Sequence, residues 1–292
     1  MEATNNEQKT PSEYRLSILK KMEEYERLGL FDQDLEEDPP SKELRPEDIT
    51  YVKKGPLARI KRFIAFRMAY AYFAKETKRG TAVIRDVIGA EKLRAIRAGA
   101  VITCNHFHPF DSFLMQYTFD ASHRKGRMYR IIREGNYTSF PGFYGFLMRH
   151  CDTLPLSSNL ATMRKFVRAV ADVLRDGQCV LIYPEQSLWW NYRKPKPMKI
   201  GGFEIAVKSD VPIVPCFVTM EDCEQLDDEG LPVQAYTVHV GDPIYPDASL
   251  GKRERAEAMR DANAAFCREI YERVYGIPLT YTTEAKDGSV EK

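Results

Sequence analysis

The first eleven residues are polar throughout and predict a disordered start, and apolar periodicity begins only at Ser12. From there to Leu30 the positions Leu16, Ile18, Leu19, Met22, Tyr25 and Leu28 recur near helical period, and Gly29 suits a helix end. Asp32 to Asp48 breaks the pattern with Pro39-Pro40 and Pro46, which predicts an extended loop. A second helix is predicted from Pro56, a favourable first helical position, to Arg79. From about residue 80 the texture changes. Ala100–Cys104, Met128–Ile132, Cys179–Tyr183, Val211–Val218 and Tyr236–Val240 read as β-rich runs. Phe110–Phe119, Asn159–Arg175, Phe203–Lys208 and Lys252–Tyr275 read as helices between and after them. Such alternation predicts an α/β domain with a mixed, mostly parallel sheet flanked by helices. Periodicity fades after Gly276. The predicted organisation is a helical N-terminal arm at 1–79, a domain of catalytic size at 80–276 and a tail at 277–292.

Composition narrows the class. The 292 residues are 43% hydrophobic and 29% charged, which is globular, with a net charge of +1. Near-neutrality disfavours a general nucleic-acid binder. The charge is unevenly spread, however. Asp32–Asp48 holds eight acidic residues against Lys42 and Arg45, and Lys53–Arg79 holds nine basic residues against Glu76, interleaved with Phe63, Phe66, Tyr70, Tyr72 and Phe73. The basic, aromatic stretch has two readings: an interfacial helix on an anionic lipid surface, or a helix packed on the domain with a solvated basic side. The richest apolar stretch, Phe63–Ala74, is interrupted by Arg67 and too short to span a bilayer, so membrane contact is expected to be peripheral. Six cysteines without C-x-x-C spacing or a zinc-ligand pattern read as reduced packing thiols of a cytosolic protein, with no metal site. No signal peptide is legible at the start of the sequence.

The chemistry gathers at strand ends. No G-x-S-x-G elbow, Walker A loop or G-x-G-x-x-G fingerprint occurs. Asn105-His106-Phe107-His108-Pro109-Phe110-Asp111 directly follows the first of the five runs. A carboxylate that reaches an imidazole N–H fixes the tautomer and leaves the other nitrogen free to take a proton. The His-x4-Asp spacing by itself arises about 0.3 times by chance in this composition, and His at a strand end is often only a hydrogen-bonded structural residue.

Three further segments accompany it: Phe143–Arg149, Tyr183–Ser187, and Lys199–Ala206 leading into Val211-Pro212-Ile213-Val214-Pro215. In this order the four segments resemble the blocks of the glycerolipid acyltransferase family, which includes the 1-acylglycerol-3-phosphate acyltransferases. The resemblance covers about residues 80–245. It implies the acyltransferase fold, with His106 deprotonating an acceptor hydroxyl and Asp111 orienting His106. The hydroxyl then attacks the thioester of acyl-CoA or acyl-carrier protein, and no covalent acyl-enzyme and no cofactor are implied. The blocks supply candidate substrate contacts at Asn105, Gly145, Arg149, Glu185, Gln186, Ser187 and Lys199, with Arg193 just past the third block as a further candidate. Implied partners are the acyl donor, a lipid acceptor and, peripherally, the inner face of a membrane.

Two departures bear on the acceptor. The third block usually reads Pro-Glu-Gly-Thr-Arg; Gln186, Ser187 and Leu188 stand at its last three positions. The second block usually places an Arg about 13 residues past its Gly, and counted from Gly145 that position is Ser158. Phosphate prefers bidentate guanidinium contacts, which Leu and Ser do not supply. Either Arg149, Arg164, Arg193, Lys194 or Lys199 meets the phosphate, or the acceptor has none there. The expectation is lysophospholipid acylation in phospholipid biosynthesis, with a non-phosphate acceptor or a non-catalytic lipid-binding protein of the same fold as alternatives. Trp189-Trp190-Asn191-Tyr192 reads either as a packed aromatic turn or as an amphipathic lip at a lipid entrance. His108, where the family often has Ser, reads as structural.

Overall fold

A computed structural model describes residues 10–36 and 41–284. Most of the polar start, the Pro39-Pro40 pair and the end of the tail lie outside the described residues. Two helices come first, α1 (Glu13–Arg27) and α2 (Pro56–Arg79). The α/β part then runs β1 (Val83–Ile88), α3 (Ala90–Ala95), β2 (Ala100–Thr103), α4 (Asp111–Ala121), β3 (Met128–Ile132), α5 (Glu134–Thr138), α6 (Gly142–His150), β4 (Thr153–Pro155), α7 (Leu160–Arg175), β5 (Cys179–Ile182), α8 (Gly201–Ser209), β6 (Ile213–Leu226), β7 (Pro232–Val240) and α9 (Lys252–Tyr275).

The strands form one seven-stranded sheet in the order β1-β7-β6-β2-β5-β3-β4. Pairing is parallel except between β6 and β7, which form an antiparallel hairpin. The central strands are continuous apolar runs because both of their faces are covered. On β2 and β5, Ile102 and Leu181 face a cluster with Leu114, Met115 and Phe119 of α4, while Val101 and Val180 face Phe166, Val170 and Val173 of α7 with Phe203 of α8. Close backbone packing joins these layers: a Cβ on Gly99, just before β2, would stand 2.1 Å from the Leu174 carbonyl oxygen at the end of α7.

The mixed, mostly parallel sheet agrees with the α/β expectation, and several elements are additions to it. Strands β1 and β4 and helices α3 and α5 escape a periodicity reading because they are short or half-exposed. Strand β6 runs eight residues past Val218, as its outer half carries the polar residues Glu221, Asp222, Glu224 and Gln225 against β7.

Both N-terminal helices pack on the α/β part. Ile18, Met22 and Tyr25 of α1, with Phe31 and Leu35, enclose Trp189 and Tyr192. The inner side of α2 carries the small residues Ala65 and Ala69, which allow it to approach Leu147 of α6, and Arg62 pairs with Asp152 at 2.6 Å. Described residues past Gly276 are also held: Leu279 is buried, Thr282 N–H donates to Glu26, and Glu284 N–H donates to the Arg27 carbonyl. All six cysteines are free thiols; burial pushes Cys179 up to about 11, so it packs rather than reacts.

Candidate active site

The loop from β2 to α4 carries His106, and α4 begins at Asp111. Two anchors fix this loop. Asn105 is buried and bonds both ways with Val218 on β6: its side-chain oxygen accepts the Val218 N–H at 2.8 Å, and its amide donates to the Val218 carbonyl at 3.1 Å. The carbonyls of His106 and Phe107 accept the N–H groups of Trp189 and Asn191. The segment Trp189–Tyr192 is therefore a packed aromatic turn. Trp189 is fully buried and its indole N–H donates to the Gln33 carbonyl.

On this platform His106 Nδ1 stands 2.5 Å from Asp111 Oδ2. The carboxylate is almost fully buried, while the ring keeps 24% of its surface open. The other oxygen, Oδ1, accepts the Tyr183 hydroxyl at 2.8 Å. Burial, and then the Asp111 charge, push the Tyr183 phenol well above its usual range, so it serves as a donor. The Tyr183 ring also stacks on the imidazole at a centroid distance of 4.3 Å. With Nδ1–H directed at Asp111, the neutral ring carries its lone pair on Nε2. Among the described residues no hydrogen bond is made at Nε2. The pair can thus take a proton from a group arriving from solvent and stabilise the resulting imidazolium.

The third block supports this pair from beneath. Glu185 is buried; Oε2 accepts the His106 main-chain N–H at 3.3 Å and Oε1 accepts the Lys196 N–H at 2.9 Å. Burial pushes the Glu185 carboxyl up, opposed by the neighbouring Lys196. Ser187 is fully buried and donates to the Phe31 carbonyl at 2.6 Å. Gln186 is exposed, with φ +68°, a left-handed conformation that favours glycine. Gln186, where the resembled block has glycine, therefore holds a backbone conformation that glycine takes without strain.

The remaining candidate residues are spread around this centre. Gly145 sits where a Cβ would meet the Phe140 carbonyl oxygen at 1.9 Å, a close packing of α6 on its own entry loop. Arg149 donates to the carbonyls of Tyr137 and Phe140. Arg193 pairs with Asp222 at 2.7 Å on the β6–β7 hairpin. Lys194 holds Glu26, and Lys199 holds Asp32 at 2.8 Å while its N–H donates to the Pro184 carbonyl. Ser158 and Ser157 donate to Glu134. His108 accepts the Phe110 N–H on Nδ1 at 3.1 Å, and burial pushes it down to about 4, so it is a neutral structural group.

Three residues that the sequence does not single out matter here: Tyr183, Lys196 and Arg133. Arg133 follows β3, donates to the Gln186 carbonyl at 3.0 Å and pairs with Asp34 at 2.5 Å. It lines a cavity of about 280 Å³ with Glu134, Asn136, Phe140 and Ser158. Only Tyr183 had a sequence signal, as the last residue of its strand. The other two are ordinary basic residues until folding brings them to the third block. Among the described residues no group of three His, Cys, Asp or Glu could hold a metal ion.

Residues 84–219 match the Acyltransferase family model. The span contains His106, Asp111, Gly145 and Glu185. No curated protein matches the chain in sequence. Among solved structures, the 1-acyl-sn-glycerophosphate (LPA) acyltransferase PlsC from Thermotoga maritima has a similar fold, with a TM-score of 0.51 and 16% identity over 77% of this chain and 85% of that chain. The mixed sheet with flanking helices is shared with that enzyme. The match over residues 84–219 supports an O-acyltransferase domain of the glycerolipid acyltransferase type there, and the shared fold agrees with it.

Proposed function

We propose that the enzyme moves a fatty acyl group from a thioester, acyl-CoA or acyl-carrier protein, to a hydroxyl of a 1-acylglycerol-3-phosphate-like lysophospholipid in phospholipid biosynthesis. The observation that carries this reading is the open Nε2 of an imidazole whose Nδ1 is held by Asp111 at 2.5 Å. The hydroxyl gives its proton to Nε2 as its oxygen attacks the thioester carbonyl. The tetrahedral adduct collapses, the C–S bond breaks, and the imidazolium returns the proton to the leaving thiolate. A positioned base of this kind contributes about 10²–10⁴-fold. Domain 80–276 carries the chemistry and the arm 1–79 serves the lipid surface.

The acceptor's phosphate is met by Arg133 and Lys199, which flank the third block and offset the missing arginines at Ser158 and Leu188. Both now hold carboxylates of the acidic loop, Asp34 and Asp32, anions that the phosphate would replace. The similar Thermotoga maritima enzyme is itself named for a lysophosphatidic acid acceptor, LPA. One observation favours a second reading, an acceptor without phosphate: the position of the second-block Arg is Ser158, whose hydroxyl and N–H are both taken by Glu134.

Membrane contact is assigned to the outer face of α2. Leu57, Ile60 and Phe63 are 64%, 55% and 66% exposed, and Ile64 lies beside them. The exposed Arg59, Lys61 and Arg67 flank this apolar ridge, as an anionic lipid surface requires. No helix among the described residues is long and apolar enough to cross a membrane.

The test is incubation of purified enzyme with acyl-CoA or acyl-carrier protein and a panel of lysolipids and neutral alcohols, read by thiol release and product mass spectrometry. A 1,2-diacyl phosphatidic acid product supports the phosphate reading, and an acylated neutral acceptor supports the second. If His106→Ala releases thiol as fast as wild type, the mechanism is wrong. Anionic vesicles should retain the protein at low salt, and Ile60→Ser with Phe63→Ser should weaken retention; unchanged retention would remove α2 from the lipid contact.

A further inference from the structure

We propose that Lys196 is a positioning residue for acyl transfer: from inside the protein it holds the Glu185 carboxylate, and through it the main chain of His106. The inference rests on His106 being the base.

Lys196 is 3% exposed, which is rare for lysine and costly unless the ammonium is well partnered. Its Nζ donates to the Ser187 carbonyl at 2.6 Å and to the Ser187 hydroxyl at 2.9 Å, and stands 3.6 Å from Glu185 Oε2. That same oxygen accepts the His106 N–H. Glu185 Oε1 meanwhile accepts the Lys196 main-chain N–H. One carboxylate therefore ties the loop carrying the base to the loop carrying the lysine. The ammonium is the nearby charge that opposes the effect of burial on this carboxylate.

Fold stability alone does not require this device. The Ser187 hydroxyl already donates to Phe31, and Trp189 and Asn191 already anchor the loop through the His106 and Phe107 carbonyls. The added element acts at the His106 N–H itself. Without the ammonium, burial drives Glu185 to take up a proton, and a carboxylic acid accepts an N–H less strongly. The His106 peptide is then free to shift, and the 2.5 Å approach of Nδ1 to Asp111 depends on where that peptide stands. Misplacement of a catalytic group by about 1 Å costs on the order of 10²-fold. Burial also pushes Lys196 down to about 8, so wild-type enzyme should lose this support at alkaline pH.

The test compares wild type, Lys196→Met, Glu185→Gln and the double variant as full-length protein, with His106→Ala as control. Lys196→Met should lower kcat by about 10- to 100-fold, with KM for donor and acceptor nearly unchanged. The double variant removes both charges of this buried pair, and its amide oxygen can still accept the His106 N–H. It should recover much of the lost kcat. Wild-type kcat should fall above about pH 8, and the double variant should lack that limb. The proposal is overturned if folded Lys196→Met keeps wild-type kcat, or if the double variant is no faster than the single one. Should Lys196→Met not fold, the double variant and the alkaline limb decide: a slow double variant, or a limb retained in it, overturns the proposal. Full activity in His106→Ala would instead remove the catalytic reading on which it rests.

Discussion

Tyr183 lies flat against the His106 ring and donates its hydroxyl to the oxygen of Asp111 that His106 does not use. One side chain thus sets the plane of the imidazole and holds the carboxylate bonded to it. The hydroxyl also meets Ser112 at 3.2 Å. Tyr183→Phe keeps the stacking and removes the donor. We expect kcat to drop about tenfold, equal to roughly 1.4 kcal/mol of transition-state stabilisation. Steady-state kinetics with KM resolved checks this; an unchanged kcat would leave Tyr183 as packing alone.

Asp111→Asn should be far more damaging. An amide can present N–H to Nδ1 and lock the opposite tautomer, which takes the lone pair off Nε2. The expected loss in kcat is about 10³-fold or more, with the fold retained. Comparing circular dichroism and turnover of the same preparation separates the two effects.

Gly145 offers a different outcome. Phe140's carbonyl oxygen occupies the space of a Cβ, so Gly145→Ala should cost roughly 3 kcal/mol of stability through overpacking. Thermal unfolding should record that loss. A normal melting temperature with a raised acceptor KM would point to direct substrate contact at Gly145.

Asn105→Ala strands both main-chain groups of Val218, each of which has Asn105 as its partner. A buried unsatisfied group costs about 1–3 kcal/mol, so a loss of roughly 2–4 kcal/mol is expected. Denaturant titration checks the figure. Turnover should fall as well, because His106 is the next residue.

The pH dependence of stability has a definite sign. His108 is held at about 4 by burial, against 6.5 when unfolded. Above 6.5 neither state binds the proton. Below it the unfolded chain does and the native chain does not, so stability is lost as pH falls from about 6.5 towards 4. The His108 contribution is roughly 3 kcal/mol. His150 and His239 are lowered in the same direction. His108→Asn can still accept the Phe110 N–H and should flatten this slope; equal slopes in the two proteins would mean that His108 titrates normally.

Most of the α/β frame was legible because both faces of the central strands are buried, which leaves continuous apolar runs such as Cys179–Ile182. The helix α7 declared itself by a buried stripe and an Asn159 cap. The site was partly legible for the same reason. His106 and Asp111 stand at the two ends of the short turn from β2 into α4, so closeness along the chain keeps them within reach of each other. Strand β1, by contrast, carries no decisive pattern, since it lies at the sheet edge with its residues half-covered. The meaning of the charged residues was not legible either. Lys194, Arg193 and Lys199 are neighbours in sequence, yet they pair with Glu26, Asp222 and Asp32 in three different places.

The sequence by itself determined the strand and helix alternation, the His106–Asp111 pair and the four blocks, all of which depend on contacts close along the chain or on residue type. Tertiary structure alone decided which groups support that pair. Tyr183 reaches Asp111 across 72 positions, Glu185 reaches His106 across 79, and Asn105 reaches Val218 across 113. A charge or a hydroxyl looks the same in sequence whether it faces water or a buried partner. Only parallel strand order, which sets β5 and β6 on either side of β2, gives these side chains their partners and their chemistry.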